Sequence, residues 1–446
     1  MPLKLQQRGA SYIFVATYNR ASIRHLSLWS RVKEYCQVVA TDYDDTPKGI
    51  REHKDLAMAL LAHTHRRLRK ENPQKSVSSL LDDAIAELED RGMEDIGVRA
   101  TRYELQQELA PEVVKIFETF QKVDGILPSG SEASLDDHGA QILVQELQET
   151  LVALTNQSTL SSEHPGPESF HLRKLGALRT LLSFHGWAEM GEQVETRGRE
   201  LSLTDEPTSP VDESDDFGYI ATGAKKDVVD AIRRYQAWNM IRSALIRREI
   251  GHSILALKST IPGAGRGVFL DGEAMEGSLV AFIPGEVLPK EYLTNPSASL
   301  NDYLSHDNNY QLSIRSDDIL IDSRCSPYTV LDEEGSNPWS LGHVVNHPPP
   351  NVSPNCRTVM INFTEAMNLK STGLFRYVPN TYKRKPMLFG QKLFDRDSIV
   401  MHGMAIMTRR DVSNEELFYD YKFTGDEGNP SWYHKATYED WADERD

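Results

Sequence analysis

The sequence predicts an α+β protein with a mostly helical N-terminal part followed by a β-rich C-terminal part. Before residue 250, apolar residues recur at the three- and four-residue spacing of amphipathic helices. After Gly251, short β-like runs alternate with glycine, proline, asparagine and aspartate, which is typical of many short strands with little regular helix. The predicted strands cover 268–270, 279–283, 310–314, 319–322, 359–363 and 398–407. The length of 446 residues exceeds that of one ordinary core and therefore predicts more than one domain.

Residues 1–200 are predicted to form a helical domain, with a connecting helix in 223–250. Ser76 is a candidate N-cap, because a serine side chain can accept a main-chain N–H of the first turn, and Gly92 marks the end of that helix. Pro111 suits the first turn of a further helix, where its missing N–H does no harm. Since no chemistry is visible here, we expect a substrate-binding or scaffolding role. The predicted helices cover 51–70, 77–88, 111–120, 135–154, 172–184 and 225–248.

Two segments have a biased composition. Residues 201–222 alternate acidic residues with proline, serine and threonine, and they predict a linker or mobile loop because they can bury little apolar surface. Residues 1–33 contain basic but no acidic residues, so they resemble a mitochondrial transit peptide or form an ordinary basic edge of the helical domain. We expect an intracellular protein of the nucleus or cytosol, with the mitochondrion open as an alternative.

Charge and cysteine content narrow the function classes. The net charge of −17 disfavours binding to nucleic acid by bulk electrostatics and favours a basic, lysine-bearing protein partner, unless it only aids solubility. Cys36, Cys325 and Cys356 are few and scattered, which fits a reducing compartment and excludes a four-cysteine zinc site within this chain. No run of about 18 apolar residues occurs, so no membrane span is expected.

Three blocks contain residues with chemical potential. The glycine-rich block 261–269 is either a plain turn or a loop that approaches a ligand, and no βαβ unit supports a dinucleotide site or a Rossmann-type enzyme. The block 340–356 contains two histidines and a cysteine at irregular offsets, which favours a loop held by Asn and His side chains over a metal site. The tyrosines of block 414–421 belong to a core strand or line an active-site channel.

In their order and separation, these blocks resemble the signature series of SET-domain lysine methyltransferases. The series is a glycine turn before a strand, G-E-V, a strand ending in I-D, G-H-x-x-N-H, P-N-C and E-E-L-x-Y-D-Y. It covers 253–424, roughly two-fifths of the chain. The resemblance implies a β-rich SET domain with small curved sheets around a knot-like crossing.

A closer resemblance is to the SET domain-containing protein 9 family. It is carried by N-P-x-x-x-G-x-x-V-N at 337–346, by Y-V-P-N at 377–380 and by E-E-L-F at 415–418. The implied organisation is a SET domain over 251–425, with insertions near 292–340 and 364–396. A C-terminal tail, 426–446, would close the site.

The resemblance implies S-adenosyl-L-methionine as cofactor and no metal. Gly265, Arg266 and Gly267 match the glycine turn that holds this methyl donor through main-chain contacts. Asn346 and His347 match the Asn-His pair that would also contact it.

The resemblance also implies two catalytic residues. Tyr421 matches the active-site tyrosine, and Tyr419 matches the aromatic gate that limits the number of methyl groups. An aromatic channel disfavours the ammonium form of a lysine, lowers its pKa and aligns the amine with the methyl group. The expected activity is mono- or dimethylation of a lysine side chain in a protein substrate, including a basic tail.

Two departures leave an alternative open, a non-catalytic SET scaffold that binds a protein partner. Three prolines, 348–350, follow His347 in place of the usual Ser-Cys. No cysteine follows Cys356 in this sequence, so no zinc-binding post-SET module is expected. Aromatic residues of the tail either close the channel or merely anchor the C-terminus; these are Trp432, Tyr433, Tyr438 and Trp441.

Overall fold

The computed structural model describes only part of the chain. The described residues are 47–92, 98–126, 137–157, 167–184, 226–289, 313–314, 319–323, 337–382, 399–422, 432–434 and 436. The segments predicted at 1–33 and 201–222 lie outside these residues, as do Cys36, Cys325, Tyr438 and Trp441.

The described helices follow the predicted order. They are α1 (Pro47–Glu71), α2 (Val77–Asp90), α3 (Val98–Ile126), α4 (Asp137–Gln157), α5 (Pro167–Phe184) and α6 (Lys226–Ile250). The predicted cap of α2 is confirmed, since the Ser76 side chain accepts the N–H of Ser79 at 3.2 Å. Gly92 follows the end of this helix with a φ of +67°.

The predicted position of Pro111 in a first helical turn is wrong, because α3 begins at Val98 and continues through the proline. A proline inside a helix removes one ladder hydrogen bond and costs about 3 kcal/mol. On either side of it, Leu109, Val113 and Phe117 are fully buried. Their burial offsets this cost, since each such side chain contributes roughly 1.5–3 kcal/mol.

Ten strands among the described residues form three small sheets. Their spatial orders are β1-β2-β10, β3-β9-β7 and β5-β6-β4-β8. All neighbours pair antiparallel except β4 and β8, which are parallel. The strands are β1 (His252–Lys258), β2 (Arg266–Ala274), β3 (Leu279–Ile283), β4 (Gly285–Pro289), β5 (Ser313–Ile314), β6 (Ile319–Asp322), β7 (Cys356–Thr364), β8 (Asn380–Tyr382), β9 (Ile399–Thr408) and β10 (Val412–Ser413).

Helices α1–α3 share one hydrophobic core with the sheets. The Phe117 ring of α3 has its centroid 5.5 Å from that of Phe282 on β3 and 6.0 Å from that of Phe363 on β7. A second core joins α4–α6 to Leu255 of β1 and Phe269 of β2. Helices and sheets therefore form continuous cores, while the domain limits predicted from the sequence stay predictions.

The stretch after β7 packs into the fold as far as Tyr382. A 3₁₀ turn, Leu374–Tyr377, buries Tyr377 with its ring centroid 5.9 Å from that of Phe117. Strand β8 then extends the sheet beside β4. The described part of the predicted insertion 364–396 is thus a structural layer that connects α3 with the sheets. No described helix is long and apolar enough to cross a membrane.

Candidate functional site

The glycine turn presents open main chain beside the start of β2. Gly263 and Gly265 have φ angles of +78° and +71°, which a side chain would strain. A Cβ atom at either position would meet nothing within 4 Å. Because strand β2 follows the turn, it is not the strand–helix loop of a dinucleotide site.

Gly267 has the opposite environment, because two side chains cover it. A Cβ atom there would lie 2.0 Å from Oε1 of Glu416 and 3.1 Å from Nδ2 of Asn346. The guanidinium of Arg266 donates from Nη2 to the Ala256 carbonyl on β1 at 3.5 Å, so its side chain lies along the sheet. Arg266 therefore faces the site through its main chain.

The side chain of Asn346 has a defined orientation. Its Nδ2 lies 3.0 Å from the Arg266 carbonyl, 3.1 Å from Oε1 of Glu416 and 3.1 Å from the Ser259 hydroxyl, so its two protons serve three acceptors and one proton is shared. A main-chain carbonyl can only accept, so the amide nitrogen must face it. Within the described part of the chain, Oδ1 of Asn346 accepts no hydrogen bond.

The segment that contains both predicted tyrosines (the tyrosine segment, 414–421) runs between β2 and the loop that precedes β7 (the Asn346 loop, 345–355). On the β2 side, the N–H of Leu417 donates to the Val268 carbonyl at 2.7 Å. On the loop side, the N–H of Tyr419 donates to the Asn346 carbonyl at 3.1 Å, and Cys356 donates to the Phe418 carbonyl at 2.9 Å. This pairing on both sides fits the crossing that the resemblance implies, whereas a closed knot stays a prediction.

Asn355 locks this segment in place. Its Nδ2 donates to the Glu416 carbonyl at 2.8 Å, and its Oδ1 accepts the N–H of Phe418 at 2.7 Å. A buried amide that satisfies both a donor and an acceptor of one strand substitutes for a neighbouring strand. The Pro348–Pro350 departure therefore leaves the loop's contacts with the tyrosine segment intact.

His347 is a buried neutral imidazole between the Asn346 loop and the tail. The N–H of Tyr421 donates to Nδ1 at 3.3 Å, so Nε2 carries the proton and donates to the His434 carbonyl at 2.8 Å. Burial lowers its pKa, against the opposing effects of the His434 contact and the Asp420 carboxylate. No group of three or more His, Cys, Asp or Glu side chains that could hold a metal occurs in the described ranges.

Tyr419 and Tyr421 form an aromatic wall beside His347. Their ring centroids are 4.9 Å apart, and the Tyr421 ring lies 5.5 Å from His347. The Tyr421 hydroxyl donates to the Val345 carbonyl at 3.0 Å. Burial raises the pKa of Tyr421 to about 12, so the phenol stays protonated at neutral pH.

The described tail residues pack on this wall. The rings of Trp432, Tyr433 and His434 lie 6.4, 4.8 and 4.9 Å from His347. Trp432 is 57% exposed, although its ring is also 6.2 Å from Tyr421 in an edge-on arrangement. These contacts put an aromatic surface at the predicted place, and closure of a channel stays a prediction.

All seven predicted site residues lie around one locus, together with four residues that the motifs alone did not single out. These are Ser259, Thr260, Asn355 and Glu416, whose side chains hold the turn, the Asn346 loop and the tyrosine segment together. Glu416 was part of a quoted motif, yet nothing in the motif distinguished it from Glu415, whose side chain forms a surface ion pair with Arg410 at 2.6 Å.

Comparison with family models finds no match, and comparison with curated proteins finds none. Among solved structures, ctPRC2 in an autoinhibited conformation bound to S-adenosylmethionine is 13% identical, with a TM-score of 0.21 over 42% of this chain and 18% of its own. CpSET8 from Cryptosporidium is 16% identical, with a TM-score of 0.24 over 58% of this chain and 99% of its own. This chain thus spans less than a fifth of the ctPRC2 chain.

Proposed function

We propose that the protein transfers a methyl group from S-adenosyl-L-methionine to a lysine side chain of a protein, as mono- or dimethylation. One observation carries the proposal. The side chain of Asn346 bonds to the glycine turn at the Arg266 carbonyl, and its main-chain carbonyl bonds to the tyrosine segment at Tyr419. The residues proposed to bind the donor therefore lie next to those proposed to bind the lysine.

The residues around the turn fit this donor. When bound, S-adenosyl-L-methionine supplies an electrophilic methyl group on a cationic sulfur. Oδ1 of Asn346, which accepts no hydrogen bond from the described residues, would accept one from the ammonium group of S-adenosyl-L-methionine. The open main chain at Gly263 and Gly265 leaves room beside it. Aromatic faces at His347 and Trp432 suit a flat ring or a cation.

The tyrosines would prepare the lysine. A half-buried aromatic wall favours a neutral amine over an ammonium, which lowers the pKa of the lysine and exposes its lone pair. Because the Tyr421 hydroxyl is already aimed at the Val345 carbonyl beside the Asn346 loop, it can orient the amine toward the donor site. Tyr419 would limit the space for added methyl groups.

The substrate and family follow as proposals from the same residues. The net charge of −17 favours a basic, lysine-bearing protein over nucleic acid. A relationship to the SET domain-containing protein 9 family rests on the motifs at 337–346, 377–380 and 415–418. Tyr377 of the second motif is buried against α3, so this residue serves packing.

Methyl incorporation from labelled S-adenosyl-L-methionine into a proteome extract tests the proposal. We expect label with the wild type and its loss with Tyr421→Phe. Tyr103→Phe makes the same chemical change at an exposed position of α3 and should leave labelling intact. If calorimetry shows donor binding but no variant transfers label, the protein is a non-catalytic scaffold. If the donor does not bind, the cofactor assignment is wrong.

A further inference from the structure

Glu416 is a buried carboxylate at the junction of the site. It is only 4% exposed. Its Oε1 accepts from the Ser259 hydroxyl at 2.7 Å and from Nδ2 of Asn346 at 3.1 Å. Its Oε2 accepts from the N–H of Thr260 at 2.6 Å and from the Thr260 hydroxyl at 2.5 Å. Packing alone does not require a buried acidic side chain with four hydrogen-bond donors, which indicates a role in the site.

The direction of these bonds follows from Ser259. Its hydroxyl oxygen accepts the N–H of Ile261 at 3.0 Å and Nδ2 of Asn346 at 3.1 Å. Both acceptor positions of the oxygen are therefore filled, so the hydroxyl proton points at Glu416. Ile261 is the first residue of the glycine block. The Glu416 carboxylate therefore holds the Ser259 hydroxyl, and this hydroxyl in turn bonds to the glycine turn at Ile261 and to the side chain of Asn346.

We propose that Glu416 is a positioning residue for the methyl donor. It holds the amide of Asn346 with Oδ1 turned toward the donor and holds the glycine turn in its open conformation. The inference rests on the proposed function, because the role of Glu416 is defined by the affinity of the protein for S-adenosyl-L-methionine. It also explains Gly267, since any Cβ atom there would occupy the space of the Glu416 carboxylate.

Glu416→Gln tests this with almost no change in shape. One of the two side-chain ends becomes an NH₂ group that can only donate. In one orientation this NH₂ group faces the donors of Thr260. In the other orientation it faces the Asn346 amide and the Ser259 hydroxyl proton. Relief requires the Asn346 amide or the turn to move. We expect the dissociation constant for S-adenosyl-L-methionine to rise about ten- to hundredfold by calorimetry.

Glu415→Gln is the matched control. It makes the same chemical change at the neighbouring residue, whose carboxylate forms a surface ion pair with Arg410. It should bind the donor as the wild type does. In turnover assays of the full chain with a lysine-bearing protein, Glu416→Gln should raise KM for the donor and leave KM for the protein unchanged. General misfolding would instead reduce the bound stoichiometry and kcat together.

The outcomes separate this inference from the proposed function. A wild type that does not bind the donor rejects the proposed function itself. A wild type that binds, with a folded Glu416→Gln variant of equal affinity, overturns the role of Glu416. If circular dichroism shows that Glu416→Gln does not fold, Ser259→Ala removes one bond of the same network. Donor affinity equal to wild type in that variant would also overturn the role.

Discussion

The side chain of Gln106 on α3 pairs with the main chain of Asn362 on β7 as a neighbouring strand would. Its Nε2 donates to the Asn362 carbonyl at 2.9 Å, and its Oε1 accepts the Asn362 N–H at 2.6 Å. Among the described strands, β7 is the outer strand of its sheet, so beyond Cys356, which bonds to Phe418, its outer side has no partner strand there. A helix of the N-terminal part therefore completes the edge of a sheet in the C-terminal part.

Gln106→Ala should destabilise the protein by about 1–3 kcal/mol, because the paired main-chain groups of Asn362 lose both bonds. Urea unfolding followed by circular dichroism measures the change. Gln107→Ala on the exposed face of the same helix is the control and should change stability by less than about 0.5 kcal/mol. Equal stabilities of the two variants would contradict the edge role of Gln106.

Lys174→Met should be among the most destabilising single changes in the second core. Lys174 lies 2.8 Å from both Glu146 and Asp271, and all three side chains are buried. Loss of the cation leaves two buried carboxylates whose remaining cationic partners, Arg247 and Arg248, are both less buried than Lys174, which costs about 3–5 kcal/mol.

Lys122→Met provides the comparison for this prediction. Lys122 forms an exposed ion pair with Glu249 at 2.5 Å, and such pairs contribute less than about 1 kcal/mol. Urea midpoints of both variants decide the matter. A Lys174→Met protein as stable as Lys122→Met would mean that the buried network contributes nothing.

Stability should decrease in acid, partly because of His343. Burial lowers its pKa from 6.5 to about 4, and in the described structure its Nδ1 has no hydrogen-bond partner. The unfolded chain therefore binds a proton first as the pH falls. The stability from neutral His343 is complete above pH 6.5 and is lost as the pH falls toward 4.

His343→Leu removes this titration and should flatten the dependence between these pH values by up to about 1.4 kcal/mol per pH unit. Urea unfolding at a series of pH values compares the two proteins. Parallel curves would show that His343 is protonated equally in the folded and unfolded states.

Tyr419→Phe should shift the product distribution toward a higher degree of methylation, if the proposed function holds. The ring stays beside Tyr421, 4.9 Å away in the wild type, while loss of the hydroxyl frees space for a methylated amine. Mass spectrometry of a methylated substrate reports mono-, di- and trimethyl fractions. An active Tyr419→Phe variant with an unchanged distribution would remove Tyr419 from the role of gate.

Local patterns predicted the elements that depend on nearby residues. Strands β3 and β6 have their predicted limits of 279–283 and 319–322, because continuous apolar runs mark them. The cap at Ser76 was predictable because it depends only on the first turn of α2. Strands β1, β8 and β10 were missed. Strand β8 has only three residues, and the strand that it pairs with, β4, lies far away in the sequence.

The sequence by itself determined the order of the helices, the limits of β3 and β6, the motifs of the site and the two tyrosines within them. Only the tertiary structure decided that α3 continues through Pro111 and that Glu416, rather than Glu415, carries the network beneath the turn. The physical reason is the same in both cases. Burial against residues distant in sequence offsets the local cost of an interior proline, and burial among distant donors gives a carboxylate its partners.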